Sequence, residues 1–146
     1  MAVSADQVAT LRAYLSGDRE EFLRLNRALD RSEEGSTAYT ALITAAFVEA
    51  VEGRFNERTP RGEVIDYVAD VRSRSDYVAE ELDPDKAERM IMTVIADEDV
   101  NDLSTNERIQ VEMILIAGLV ADASFSDAER DAFLEKSRAF GDELLG

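Results

Sequence analysis

The chain has 146 residues, which is the size of one domain with a single core, and we expect one domain over residues 1–146. Its 16 basic and 32 acidic side chains give a net charge of -16, which opposes binding to the phosphate backbone of a nucleic acid. It contains no Cys, His or Trp, so disulfides, imidazole bases and the usual ligands of zinc, copper and haem are excluded. Any bound metal would be a hard cation held by oxygen atoms.

The hydropathy pattern predicts no membrane segment. The longest apolar run, "MILIAGLVA" from Met113 to Ala121, is much shorter than the roughly 18 to 20 residues that cross a bilayer. The first residues, "MAVSADQVATLRAYL", lack a basic stretch followed by an apolar one. We therefore expect a soluble, cytoplasmic protein without a membrane partner.

Helix start signals recur along the chain. Serine or aspartate is followed three residues later by Glu or Gln at Ser4, Asp18, Ser104 and Ser126, and this spacing satisfies free amides at a helix N-terminus. Pro60 and Pro84 each follow a capping residue, which is typical of the first helical position. Another helix is predicted to begin at Ser36, and helix ends are predicted at four glycines, Gly17, Gly35, Gly53 and Gly141.

Between these signals the apolar residues recur with a period near 3.6, and alternation of period two is absent. Most of the stripes are amphipathic, but the second half of the segment from Ile109 to Val120 is apolar on every side. A helix of that kind is surrounded by other helices. The sequence predicts an all-α fold, a single compact bundle of about seven helices around a buried central helix at about 105–121.

The segment "VRSRSDYVAEELDPDK" carries Arg72 and Arg74 followed by a run of acids. One interpretation is a helix end, where cations are favourable, followed by a solvated linker. The alternative is a docking surface.

The acidic stretch "DEDVNDLSTNER" begins like a calcium-binding EF-hand loop. Asp97, Asp99 and Asn101 stand at the first, third and fifth positions of the template. Its sixth position, normally Gly, is Asp102, and its twelfth, normally a bidentate Glu, is Arg108. These two departures argue against an EF-hand, and a weak Ca²⁺ or Mg²⁺ contact is the remaining metal hypothesis.

A second acidic turn lies in "ADASFSDAERDAFLEKSRAFG". Asp122, Phe125, Ser126 and Glu129 match the turn motif of TerB-like domains, the all-helical tellurite-resistance family, which this segment of about 20 residues resembles. Ala123 stands where the family has Gly. The resemblance implies divalent metal at the acidic turns, and the candidate ligands are five residues: Asp97, Asp99, Asn101, Asp102 and Asp122.

Two carboxylate pairs form a third pattern. Glu49 with Glu52 and Glu63 with Asp66 are similar to the magnesium-binding motif of MazG-type all-α nucleotide pyrophosphatases. The spacer between the pairs is shorter than in that family. Helical geometry also turns Glu52 and Asp66 away from the apolar stripes, toward solvent.

The sequence thus predicts a fold more firmly than an activity. The acidity is typical either of a surface that keeps the protein soluble or of one that mimics nucleic acid to capture a basic partner. We expect a non-enzymatic, acidic protein-interaction domain with no catalytic residues and no required cofactor. The alternatives are a divalent-metal domain of TerB-like type and a pyrophosphatase of MazG type.

Overall fold

The computed structural model describes all 146 residues and contains eight α-helices and no strand. The predicted all-α fold is confirmed, with one helix more than the expected number. The helices are α1 (Ala5–Leu15), α2 (Arg19–Ala28), α3 (Glu33–Glu52), α4 (Arg61–Arg72), α5 (Asp76–Glu81), α6 (Pro84–Ala96), α7 (Thr105–Ala123) and α8 (Asp127–Leu145).

The predicted helix starts are largely those of the structure. Ser4, Ser104 and Ser126 each form a complete capping box, in which the serine hydroxyl accepts an amide and the residue three positions later returns the bond. Asp18 accepts the amide of Glu21 in the same way. Asp83 caps α6, with Pro84 at its first turn.

Helix α7 is the buried helix that the sequence predicts. No residue between Val111 and Val120 is exposed, and the helix packs against α1, α3 and α6. Helix α3 is buried as continuously, from Ala38 to Val51, and contacts α1, α6, α7 and α8. The predicted amphipathic stripe of α3 therefore underestimates its burial, because alanines on its remaining faces also meet neighbouring helices.

The predicted start of α3 at Ser36 and the predicted helix end at Gly35 are both wrong. Ser32 caps the helix by accepting the Gly35 amide at 3.1 Å, so the helix begins at Glu33. A Cβ atom at Gly35 would lie 2.5 Å from the carbonyl oxygen of Asp30. This glycine therefore permits a close approach of two backbone segments inside the first helical turn.

The linker prediction for the segment after Arg74 is also wrong in part. Ser75 caps a short helix, α5, by accepting the amide of Val78. The guanidinium of Arg72 donates to the carbonyls of Ala79 and Leu82, both at 2.8 Å, and holds this helix against α4. At the preceding boundary, Pro60 is the N-cap of α4 and not its first helical residue.

Helix α8 continues through Gly141, which was predicted to end it. The glycine is buried where α8 crosses α3, and a Cβ atom there would lie 3.1 Å from Val3 Cγ2 and 3.4 Å from the Leu42 backbone. The Val3 amide donates to Asp142 Oδ1 at 2.8 Å, so the two ends of the chain meet at this crossing. None of the eight helices is long and apolar enough to span a membrane.

The α3–α8 crossing provides a test of the packing. We expect Gly141→Val to lower the free energy of unfolding by about 1–3 kcal/mol, because the added methyl groups overpack the contact with Leu42 and Val3. Gly62→Val is the matched control, since no atom lies within 4 Å of a Cβ at Gly62 in α4. Urea unfolding of both variants measures the difference, and equal stability would contradict the close contact.

Candidate functional site

The acidic loop between α6 and α7 combines a helix end with a tight turn. Asp97 ends α6 with a left-handed backbone (φ 57°), a conformation that costs most non-glycine residues about 1–2 kcal/mol but that Asp tolerates. The carboxylate of Asp99 accepts the amide of Asn101 at 2.6 Å. Backbone geometry thus accounts for part of the acidic stretch that resembles a calcium loop.

Two other acids of this loop are held by arginines. Arg89 forms a two-armed salt bridge with Asp102, which lowers the pKa of that carboxyl, and Arg61 bridges Glu98. Arg108, the residue that argues against the EF-hand, donates to the carbonyls of Val100 and Leu103 at 3.1 and 3.2 Å. Arginines therefore engage two of the acids and two of the carbonyls of this loop.

The loop forms one side of a groove of about 560 Å³ between α3, α6 and α7. Asp97, Asp99 and Asn101 lie on its loop side, and Glu112 of α7 contributes to its wall. Glu112 is only 3% exposed. Its Oε1 accepts from Thr44 Oγ1 at 3.3 Å, whereas Oε2 has no hydrogen-bond partner. Burial raises the pKa of Glu112 from 4.5 to about 7, although Thr44 and Arg108 act in the opposite direction.

Sequence reasoning missed Glu112, although a signal for it exists. It is the one charged residue within the segment Ile109 to Val120, in the helix that the apolar pattern predicts to be buried. A carboxyl at the centre of a buried helix must be neutralised or bonded, so it marks a site to inspect.

Asp122, the candidate ligand of the second acidic turn, is engaged elsewhere. It accepts from the Tyr67 hydroxyl at 3.1 Å and from Arg74 at 2.9 Å, and the Arg74 guanidinium lowers the pKa of its carboxyl. Burial and the neighbouring carboxylate together raise the pKa of Tyr67. Asp122 lines a different cavity, of about 290 Å³, from that of the first turn.

The carboxylate pairs of the pyrophosphatase pattern do not assemble. Glu49 bridges Lys136 at 3.1 Å, while Glu52, Glu63 and Asp66 are exposed. Throughout the chain, no three Asp or Glu residues form a group that could hold a metal ion. Of the five candidate metal ligands, Asp97, Asp99 and Asn101 line one cavity and Asp122 lines another, while Asp102 lines neither. Asp102 and Asp122 are both paired with arginine.

A third depression lies on the surface where α2 faces α5. This aromatic cleft, of about 520 Å³, is lined by Ala13, Tyr14, Gly17, Arg19, Phe22, Leu23 and Tyr77. The rings of Tyr14 and Phe22 lie 5.3 Å apart, and Leu23 and Tyr77 are 40% and 64% exposed. Helix α2 packs against α1 but buries none of its residues completely, so its apolar side remains partly exposed.

Comparisons with protein families, with curated proteins and with solved structures found no match for this chain.

The buried carboxyl of Glu112 predicts a pH-dependent stability. Its pKa is near 4.5 in the unfolded chain and about 7 in the folded one, so the unfolded state loses the proton first as pH rises. This single group then lowers stability progressively between pH 4.5 and 7, by about 3 kcal/mol in total.

We expect Glu112→Gln to remove this loss. The variant should gain stability over the unsubstituted chain as pH rises from about 5 to about 8, reaching a gain of about 3 kcal/mol. Urea unfolding at a series of pH values measures it, with Glu63→Gln on an exposed face of α4 as the control. A constant difference across the range would contradict the raised pKa.

Proposed function

We propose that this chain is a non-enzymatic, acidic helical domain that binds a protein partner through the aromatic cleft. The observation that carries the proposal is the exposure of Leu23 and Tyr77 beside Tyr14 and Phe22. Aromatic and arginine side chains are the types enriched in protein interfaces, and rigid rings supply contact area at low entropic cost. The cleft offers both types, since Arg19 lies among the rings.

The charge distribution supports a basic partner. Ten of the 32 acidic side chains form salt bridges, which leaves most of the negative charge uncompensated at the surface. Exposed acids flank the cleft residues in the chain, among them Asp18, Glu20 and Asp76. A partner that places an apolar anchor in the cleft, with Lys or Arg around it, would match both features.

The dispersed carboxylates favour this proposal over its alternatives. A divalent-metal or pyrophosphatase role depends on several carboxylates that converge on one ion. In this chain, those candidates are exposed, paired with Arg or Lys, or divided between cavities. The docking interpretation of the segment after Arg74 agrees with the cleft, because Tyr77 belongs to that segment.

Cleft variants test the proposal. We expect Tyr77→Ser and Leu23→Ser each to reduce partner capture from native lysate at least tenfold, as removal of a central interface anchor does. Ile65→Ser is the matched control, since Ile65 is 42% exposed on α4 but does not line the cleft. Circular dichroism and thermal melts would verify that all three variants are folded.

Salt gives a second, independent readout. Capture should weaken as ionic strength rises, because dissolved salt screens the attraction between exposed charges. At 0.1 M salt the screening length is about 10 Å. Capture that is identical for the cleft and control variants would overturn the proposal, and so would turnover of a nucleoside triphosphate in the presence of magnesium.

A further inference from the structure

The groove between α3, α6 and α7 contains a buried hydrogen-bond acceptor that the chain leaves unsatisfied. The other fully buried polar side chains are bonded: Gln7 donates to the Gly35 carbonyl, and Thr10 and Ser137 donate to carbonyls one helical turn earlier. Two further buried atoms without a partner, Tyr39 Oη and Arg130 Nε, belong to half-buried residues that do not line the groove. Only one oxygen of Glu112 has a partner. A buried acceptor without a partner destabilises the folded chain, and a donor that enters from the groove would remove that cost.

We propose that this groove is a binding site for a primary alkylammonium group, with the ammonium at Glu112 and the alkyl chain along the apolar walls. The site goes beyond the proposed function and does not rest on it, because no residue of the aromatic cleft lines the groove. Six apolar side chains supply the walls: Phe47, Val48, Met90, Val94, Val100 and Ile109.

The donor geometry favours an ammonium over other cations. An ammonium carries three donors around one point, and the free oxygen of Glu112 is accompanied in the groove by the hydroxyls of Thr40, Thr44 and Thr93. A guanidinium binds best when both oxygens of a carboxylate are free for its planar fork, but Thr44 already bonds Oε1. A divalent cation needs several carboxylates, which are not grouped here.

The electrostatics of the loop side attract a cation. Asp97 and Asp99 form no salt bridge and lie in the groove lining, whereas Glu98 is bridged to Arg61. The only cationic side chain in the lining is Arg108, whose guanidinium is held by the carbonyls of Val100 and Leu103. The alkyl chain lies near the walls, and the positive end is drawn past the acids to Glu112.

Binding releases a proton at neutral pH. The pKa of Glu112 is raised to about 7, so about half of the empty sites carry a neutral carboxyl that must ionise to face an ammonium. The charged groups that line the groove are Arg108 on α7 and Asp97, Glu98 and Asp99 in the loop, while α3 and α6 contribute none. We expect affinity to rise about tenfold per pH unit below 7 and to level off above it.

The test is an amide-resolved NMR titration of the full chain with n-butylammonium chloride near pH 8. Saturable shifts should appear at groove residues such as Thr44, Thr93 and Asp97. Glu112→Gln keeps the size of the side chain but removes its charge, and it should weaken binding at least tenfold. The NMR spectrum itself shows whether that variant is folded.

Two controls separate the site from general attraction by an acidic surface. Tetramethylammonium chloride has the same charge but no N–H donors, and it should give no saturable shift at these residues. An Asp97→Asn, Asp99→Asn double variant should weaken n-butylammonium only a few-fold and keep the pH profile, since Asn tolerates the left-handed backbone at position 97. Equal binding by Glu112→Gln and the unsubstituted chain, or the absence of saturable shifts, would overturn the proposal.

Two further probes distinguish the source of the group. Diaminobutane represents a free small amine, and Nα-acetyl-lysine methylamide represents a lysine side chain of a protein. Tighter, Glu112-dependent binding of the first assigns the groove to a small molecule, and tighter binding of the second assigns it to a lysine. Binding of either probe that persists in Glu112→Gln counts against the site.

Discussion

The close packing of α3 against α7 and α8 is the constraint on which the rest of the structure depends. Helix α3 has no exposed residue between Ala38 and Val51, and it contacts four of the other seven helices. Small residues permit this, because the distance between packed helices is set by the side chains at the contact. Ser137 and Gly141 provide the close approach from α8, and alanines at positions 38, 45 and 46 provide it from α3.

Much of this arrangement could be predicted because its signals are local. A capping box involves residues three positions apart, so the helix starts at Ser4, Ser104 and Ser126 can be predicted without knowledge of the fold. The signal for the burial of α7 is also local, since a helix that is apolar on every side is stable in water only when other helices surround it. Two of the errors concern glycines that are required by a close contact and not by a helix end. Gly35 accommodates the Asp30 carbonyl five residues earlier, and Gly141 accommodates α3.

The candidate sites were less predictable, because they depend on which side chains from distant segments meet. The acids at positions 97, 99 and 102 resemble the start of a metal-binding loop in the sequence. In the structure, Arg89 of α6 neutralises the last of them. Asp122 lies in a motif-like turn, but Arg74, 48 residues earlier, bonds it. A sequence pattern shows that carboxylates are present, and only the fold shows which of them keep a free oxygen.

At Glu112, the sequence and the structure each supply part of the argument for a site. Its place in an apolar helix can be read from the sequence, and that place requires a neutral or bonded carboxyl. The structure adds that α3 supplies one hydroxyl and leaves the second oxygen buried and without a partner, in a residue that lines the groove. A fully bonded carboxyl would be a structural element of the core, like the bonded Gln7. A half-bonded one retains an acceptor that the folded chain does not use, and that difference is the reason for proposing a binding site at this groove.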